Sequence, residues 1–277
     1  MKNIVIAAGY ATRLGELTRN FPKPLLKIGQ STILGRLLDD IDRIADIDEH
    51  IIVTNHKFAH IFQEWAAGQH YSKPLTIIDD GTETNDTRLG AVRDLLLAVG
   101  PMGPMGPMSP MGPMSPMSPM GPISPMSPMG PSTPPLDDDI LVVAADNLLF
   151  FSFQEFVDFA REKQTSCIMC HEQPDVEKLR RTGVIVVDDQ MRVLNMEEKP
   201  KEPKSHWAVP PFYIYMRKDL PLIRQAVEDG CGTDAPGNLA HYMVDHTVMH
   251  AWPMTAGRFD IGSLDTYYEA QEKFGKQ

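Results

Sequence analysis

Positive charge is what this sequence has too little of. Its 26 Lys and Arg face 37 Asp and Glu, a formal net charge of −11. That balance speaks against a nucleic-acid or anionic-membrane partner, and it leaves any anionic ligand to be held by local cations. Cysteine is scarce as well. Of the three, Cys167 and Cys170 form a lone Cys-x-x-Cys and Cys231 stands apart, whereas a zinc site needs a second pair or histidines at ligand spacing. Ile168 and Met169 between the first two suggest a strand, which sends the thiols to opposite faces and gives them a packing role. No uninterrupted apolar run reaches membrane-spanning length, and Met1-Lys2-Asn3 enters an apolar run without the pattern of a secretory leader, so a cytoplasmic protein is expected. No Gly-x-Gly-x-x-Gly follows that run, which weighs against a dehydrogenase-type dinucleotide site.

What is present is a chain of 277 residues with 42% apolar content, enough for one large α/β domain spanning 1–277. Ile4 to Ile6, 50–55, 75–79 and 140–144 read as strands, and 32–41, 58–67 and 89–97 as helices. Ser31 or Thr32 is placed to cap the first of these helices. Such alternation predicts a Rossmann-like, doubly wound, mostly parallel sheet. Further strands are expected over 182–188 and 193–200, a single alternating one over 206–215, and helices over 239–244 and 268–274.

The first thirty residues organise the rest. The strand at Ile4-Val5-Ile6 runs into Ala7-Ala8-Gly9, small residues at which a backbone can approach a ligand closely. Arg13 and Lys23 follow just beyond the carboxyl end of that strand, where open α/β sheets bind ligands, and two cations there suit a polyphosphate. Asp146 stands in the same way beyond 140–144. A carboxylate at that edge can hold Mg²⁺, which takes one or two carboxylates plus substrate phosphates, although a lone aspartate there is more often an ordinary turn residue than a ligand.

Residues 101–135 are of another kind. They repeat Gly-Pro-Met and Ser-Pro-Met, and 13 of the chain's 24 prolines lie in them, a density that blocks helix and sheet hydrogen bonding. A collagen triple helix is excluded, because Ser109, Ser115, Ser118, Ser124 and Ser127 replace the glycine that its axis requires. The expectation is a disordered or polyproline II insert in a surface loop, with capture of a partner by its methionines or prolines as the other reading.

Gly9-Tyr10-Ala11-Thr12-Arg13-Leu14 followed by Pro22-Lys23 resembles the signature of the sugar-1-phosphate nucleotidyltransferases, with Ala11 where the family has a second glycine. The resemblance extends to Ala145-Asp146, to Glu197-Glu198-Lys199-Pro200 and to Phe259-Asp260-Ile261-Gly262-Ser263. It implies an enzyme that joins a nucleoside triphosphate to a sugar 1-phosphate and releases pyrophosphate. Arg13, Lys23 and Asp146 would be catalytic, and Asp146 with Asp260 would hold Mg²⁺. Ala8, Gly9, Asn85 and Gly90 would meet the nucleotide, and Gly183, Glu198 and Lys199 the sugar phosphate. For Asn85 and Gly90 a capped surface loop is the competing reading, and for Glu197 to Lys199 a solvated turn. The glutamine with which pyrimidine-reading relatives meet the base is absent, so the base stays open, as does homo-oligomer formation. Two alternatives stand beside this reading. One is a cytidylyltransferase of the same fold acting on phosphocholine, whose site would show an aromatic cage. The other is a non-catalytic nucleotide-binding scaffold that recruits a partner through 101–135.

Overall fold

The computed structural model describes residues 1–100 and 136–275. The first part reads β1 (Lys2–Ile6), α1 (Glu16–Arg19), β2 (Lys27–Ile28), β3 (Ser31–Thr32), α2 (Ile33–Ile41), β4 (Glu49–Thr54), α3 (His56–Ala67), β5 (Leu75–Asp79) and α4 (Ala91–Val99). Single 3-10 turns sit at Thr12–Leu14 and Lys23–Leu25. The second part reads β6 (Ile140–Ala144), β7 (Asn147–Leu149), α5 (Gln154–Lys163), β8 (Ser166–Glu172), α6 (Val176–Leu179), β9 (Gly183–Val187), β10 (Val193–Glu198), β11 (Trp207–Val209) and β12 (Phe212–Tyr215). It closes with α7 (Pro221–Glu228), α8 (Pro236–His246), β13 (Met249–Pro253), β14 (Arg258–Asp260) and α9 (Leu264–Phe274).

One mixed sheet carries the fold, in the order β10-β9-β11-β8-β12-β6-β1-β4-β5, with β13 also paired to β8. The strands β6, β1, β4 and β5 are parallel neighbours, so each delivers the chain to the same edge. From β12 outward the pairing is antiparallel, apart from the parallel β13–β8 pair. Alternation along the strands divides the core. Ile4, Ile51 and Val142 face α4, α7 and α8, whereas Val5, Ile52 and Val143 face α2, α3 and α5. Helices on both faces are what a doubly wound sheet requires.

Cys167 belongs to one face and Cys170 to the other, and burial pushes each thiol up to about 12. Both are inert packing groups, as their alternation predicts. Thr32 caps α2 by accepting from the Gly35 N–H at 2.9 Å, and Ser263 closes a capping box on Thr266 at the start of α9.

The stretch 206–215 departs from the single strand expected of it. Pro210 and Pro211 lack N–H groups, so the ladder stops there. The chain then crosses the sheet: β11 pairs with β9 and β8, and β12 with β8 and β6. The tract 101–135 lies outside the described residues, but its flanks meet, since the Leu136 N–H donates to the Val99 carbonyl at 2.8 Å. The insert therefore leaves and rejoins the sheet's connectivity at one point.

Candidate active site

The parallel strands set the first half of the site. Ile6 pairs with Ala144, so Ala7-Ala8-Gly9 and Ala145-Asp146 emerge side by side. The Ala8 carbonyl is fixed by the Asn55 side-chain amide at 3.0 Å. A side chain built at Gly9 would meet nothing within 4 Å, so the backbone here borders open space. Ala11 lies in the left-handed region at φ 46°, a conformation that favours glycine. This is the physical reason for a glycine at that position of the family signature, and alanine holds it at a modest cost.

A small apolar cluster decides where the cations go. Leu14, Leu26, Ile28, Ile33, Leu148, Ile261 and Ala270 pack together, which draws the Arg13 turn and the Lys23 turn against β7 and the start of α9. Lys23 is 8% exposed, and its Nζ reaches Asp146 Oδ2 at 3.0 Å. Asp146 Oδ1 accepts from Asn147 Nδ2 at 2.7 Å.

Strand pairing brings in the second carboxylate. On the β7–β14 ladder Asp260 lies opposite Asn147, and the Ile261 N–H donates to the Asp146 carbonyl at 3.1 Å. Partial burial, and after it the Asp146 charge, push the Asp260 carboxyl above its ordinary value, while Lys23, Arg258 and Arg13 pull it back. Two carboxylates that repel each other, with cations around them, form a donor set in want of a divalent cation. Among the described residues no three His, Cys, Asp or Glu side chains gather at ligand distance. The pair thus fits Mg²⁺, which completes its shell with water and substrate phosphates, and not a closed structural zinc centre.

The other half lies on the antiparallel strands. Gly183 pairs with Glu198 across β9 and β10. A Cβ at Gly183 would come within 3.2 Å of Glu198 Oε2, and one at Gly237 within 2.0 Å. Glu198 therefore occupies a slot that only two glycines leave open. Burial pushes its carboxyl up, against the pull of Lys199, whose Nζ stands 3.6 Å away. Under the reaction that the resemblance implies, replacement of Gly237 by Ala should displace Glu198 and raise KM for the sugar 1-phosphate by roughly tenfold while changing kcat little, as loss of uniform binding does. Steady-state kinetics check this.

A cavity of about 490 Å³ joins the halves, lined by Ala144, Asp146 and Asp260 from one and by Thr182 and Pro236 from the other. Its wall also carries His171, Lys178, Arg181 and Arg258, none of which sequence reading singled out. Arg258 was legible, since it lies two residues before Asp260 on a strand and so shares its face. His171 was not. Burial, and then Arg258, hold its imidazole down at about 4, so it is neutral. Tyr213, on β12, belongs to the core: it is 2% exposed and stacks on Tyr215 with ring centroids 5.8 Å apart. Of the residues expected in the site, Asp146 and Asp260 line the cavity, whereas Ala8, Gly9, Arg13, Lys23, Asn85, Gly90, Gly183, Glu198 and Lys199 do not. Asn85 is exposed and its carbonyl accepts from Arg88 Nη1 at 3.0 Å. Gly90, at φ 90°, is pressed against the Thr233 carbonyl.

Fold and cavity together define a nucleotidyltransferase-type α/β protein. Solved structures with this fold include a protein described as a glucose-1-phosphate thymidylyltransferase from Bacillus anthracis, in complex with a sucrose (TM-score 0.73, 20% identity, covering 100% of this chain and 96% of that one). A UDP-glucose pyrophosphorylase complexed with UDP-glucose superposes equally well (TM-score 0.73, 17% identity, 99% and 98%). The chain belongs to the nucleotidyl transferase family, whose sequence model matches residues 2–96 and 133–277. Among curated relatives, a UTP–glucose-1-phosphate uridylyltransferase of Synechocystis sp. is 23% identical over 98% of this chain and 62% of that protein. A uridylyltransferase of the same description from Haloferax volcanii is 20% identical over 100% and 98%. A glucose-1-phosphate adenylyltransferase of Fervidobacterium nodosum is 26% identical over 47% and 32%. The chain thus spans 62% and 32% of the length of two of these relatives and nearly all of the third.

Proposed function

We propose that this chain is an enzyme that joins a nucleoside triphosphate to a sugar 1-phosphate with release of pyrophosphate. The observation that carries the reading is that Asp260 lies opposite Asn147, the residue after Asp146, with Lys23 on Asp146, at a cavity lined by both aspartates that also reaches Thr182 and Pro236. The names of the relatives agree with it.

In this reading the phosphate oxygen of the sugar 1-phosphate attacks the α-phosphorus of the triphosphate in line. The bond from that phosphorus to the bridging oxygen breaks, and pyrophosphate leaves with the electron pair. The attacking phosphate is already anionic, so no covalent intermediate on the protein is needed, and positioning with charge neutralisation supplies the catalysis. Ala8 and Gly9 offer backbone to the nucleotide, and Asn85 and Gly90 are assigned to the side of the base. Arg13 offsets charge on the leaving pyrophosphate. Lys23 and Lys199 hold phosphates as point charges. Glu198 accepts from sugar hydroxyls, and Gly183 lets the ring approach the backbone. Mg²⁺ held by Asp146 and Asp260 would supply Lewis-acid neutralisation of phosphate charge when bound.

On the acceptor side Glu198 is set between Gly183 and Gly237, and a carboxylate that accepts from paired hydroxyls suits a sugar, whereas the quaternary ammonium of phosphocholine is recognised by aromatic faces. Among the described residues no helix is long and apolar enough to cross a membrane, and a cytoplasmic setting is part of this proposal.

The test is pyrophosphate release with Mg²⁺ across a panel of nucleoside triphosphates and sugar 1-phosphates, phosphocholine included. It is run on the full chain and on a chain lacking 101–135. Turnover confined to one substrate pair, and kept within about twofold on deletion because the flanks of the tract already meet, is the expected result. A folded protein that binds nucleotide and turns over no pair, with a partner lost on deletion, supports the scaffold instead.

A further inference from the structure

Two carboxyl groups that the proposed reaction does not use face each other behind the nucleotide side of the site. Asp80 follows β5 and Asp94 lies in the first turn of α4. Asp94 is 3% exposed. Asp80 Oδ1 accepts from the Thr82 N–H and the Thr82 hydroxyl, each at 2.7 Å. The Thr82 hydroxyl meets the Tyr10 hydroxyl at 3.1 Å, and Tyr10 directly follows Gly9. The Thr82 carbonyl accepts from the His56 N–H at 2.9 Å. Asp80 Oδ2 and Asp94 Oδ1 are buried without any other donor, and the two carboxyls lie within hydrogen-bonding reach of each other.

Two carboxylates in contact, one buried and one half-buried, cannot both ionise without a penalty, so the pair holds a proton between them. Resting on the function proposed above, we infer that Asp94 is a positioning residue: sharing one proton with Asp80, it fixes Thr82 and Tyr10 and so braces the Gly9 loop for the nucleotide, and loss of that proton releases the brace. Burial, and then the Asp80 charge, push Asp94 up to about 7. The elements packed on α4 include β1, β4, α7 and α8, and the charge that acts on Asp94 is that of Asp80. On the side of Asp80 stand Asp79, itself paired with His56 Nδ1 at 2.6 Å, and Tyr10, which feels Asp80, Glu83 and Asp79.

The sign is fixed by that arrangement. Below about 7 the proton is shared and the brace holds; above it, like charges meet in a buried place. Nucleotide affinity therefore falls as pH rises through neutrality. In Asp94→Asn the amide is a permanent donor to Asp80, and the dependence vanishes. In Asp80→Asn the Thr82 acceptor is kept while a donor now faces Asp94, with the same consequence.

The experiment is calorimetric binding of UDP-glucose and ADP-glucose to the full chain from about pH 6 to about pH 8.5, since their diphosphate diesters carry no proton that titrates in that range. The Kd of the unaltered chain is expected to rise about fivefold or more, the lower end of ordinary coupling. Asp94→Asn and Asp80→Asn should stay flat at the low-pH value, whereas in the unaltered chain the effect should fall on KM for the triphosphate and not on kcat. A flat profile in the unaltered chain, or an unchanged slope in both variants, overturns the inference. Should neither nucleotide sugar bind at any pH, the substrate panel above decides on the proposed function, and amide hydrogen exchange of 81–88 decides on the brace by itself. Protection lost above about pH 7 in the unaltered chain but kept in Asp94→Asn supports it; protection independent of pH refutes it.

Discussion

Asp146→Asn is expected to lower kcat by on the order of 10³-fold while leaving the melting temperature nearly unchanged. Asparagine keeps the shape and can still meet Asn147, but it removes the charge that Lys23 and the divalent cation would share. The same substitution takes away the Asp146 charge that helps to raise the Asp260 carboxyl, so Asp260 returns toward the ordinary carboxylate range. Asp260→Asn should cost a comparable factor, and the double variant little more, because the two act as one unit. Rates measured against Mg²⁺ concentration check both: each single variant should need far more cation for half-maximal activity. In the unaltered chain activity should fall as pH drops toward the raised Asp260 range, since a protonated carboxyl is no ligand. Activity that survives both substitutions would remove the carboxylate pair from the mechanism.

Gly90→Ala is expected to be the most damaging single-methyl change for stability. The backbone there has φ 90°, and a Cβ would stand 2.5 Å from the Thr233 carbonyl oxygen and 3.0 Å from Asp234 Cα. Neither obstacle is a flexible side-chain tip, and the contact is held on both sides: the Val92 N–H donates to the Thr233 carbonyl at 3.0 Å and the Ala91 N–H to Asp234 at 3.4 Å. Backbone strain with displacement of the 233–234 loop should cost on the order of 3 kcal/mol, or roughly 10 °C in Tm. Pro236 and Gly237, just beyond that loop, stand at the cavity and at Glu198, so KM for the acceptor should rise as well. Thermal melts with steady-state kinetics separate the two roles of Gly90. If its task were contact with the base alone, KM for the triphosphate would change and the melt would not.

Much of the frame was legible because its signals are local. Ile4-Val5-Ile6 running into Ala7-Ala8-Gly9 announces a buried strand and an open turn, and Thr32 and Ser263 announce caps that the structure contains. Helix α5 was legible but passed over: Phe156, Val157 and Ala160 have helical spacing and are all buried. Strand β13 was not, since five residues ending in a proline give no clear period. The break at Pro210-Pro211 carries its own signal, the missing donors, yet only pairing partners on both sides show that the chain changes neighbours there.

The sequence by itself determined the strands and helices of the parallel half, the small-residue turn at Gly9 and the order of the charged groups, because periodicity, side-chain size and capping act within a few residues. Tertiary structure alone decided that Lys23 pairs with Asp146, that Asp260 lies opposite Asn147 and so beside Asp146, that Glu198 has its slot between Gly183 and Gly237, and that Asp80 meets Asp94. Each of these contacts is set by what a distant segment buries: the cluster around Leu14, Leu148 and Ile261 excludes water only when the first thirty residues and the last thirty close on each other, and no local preference encodes that closure.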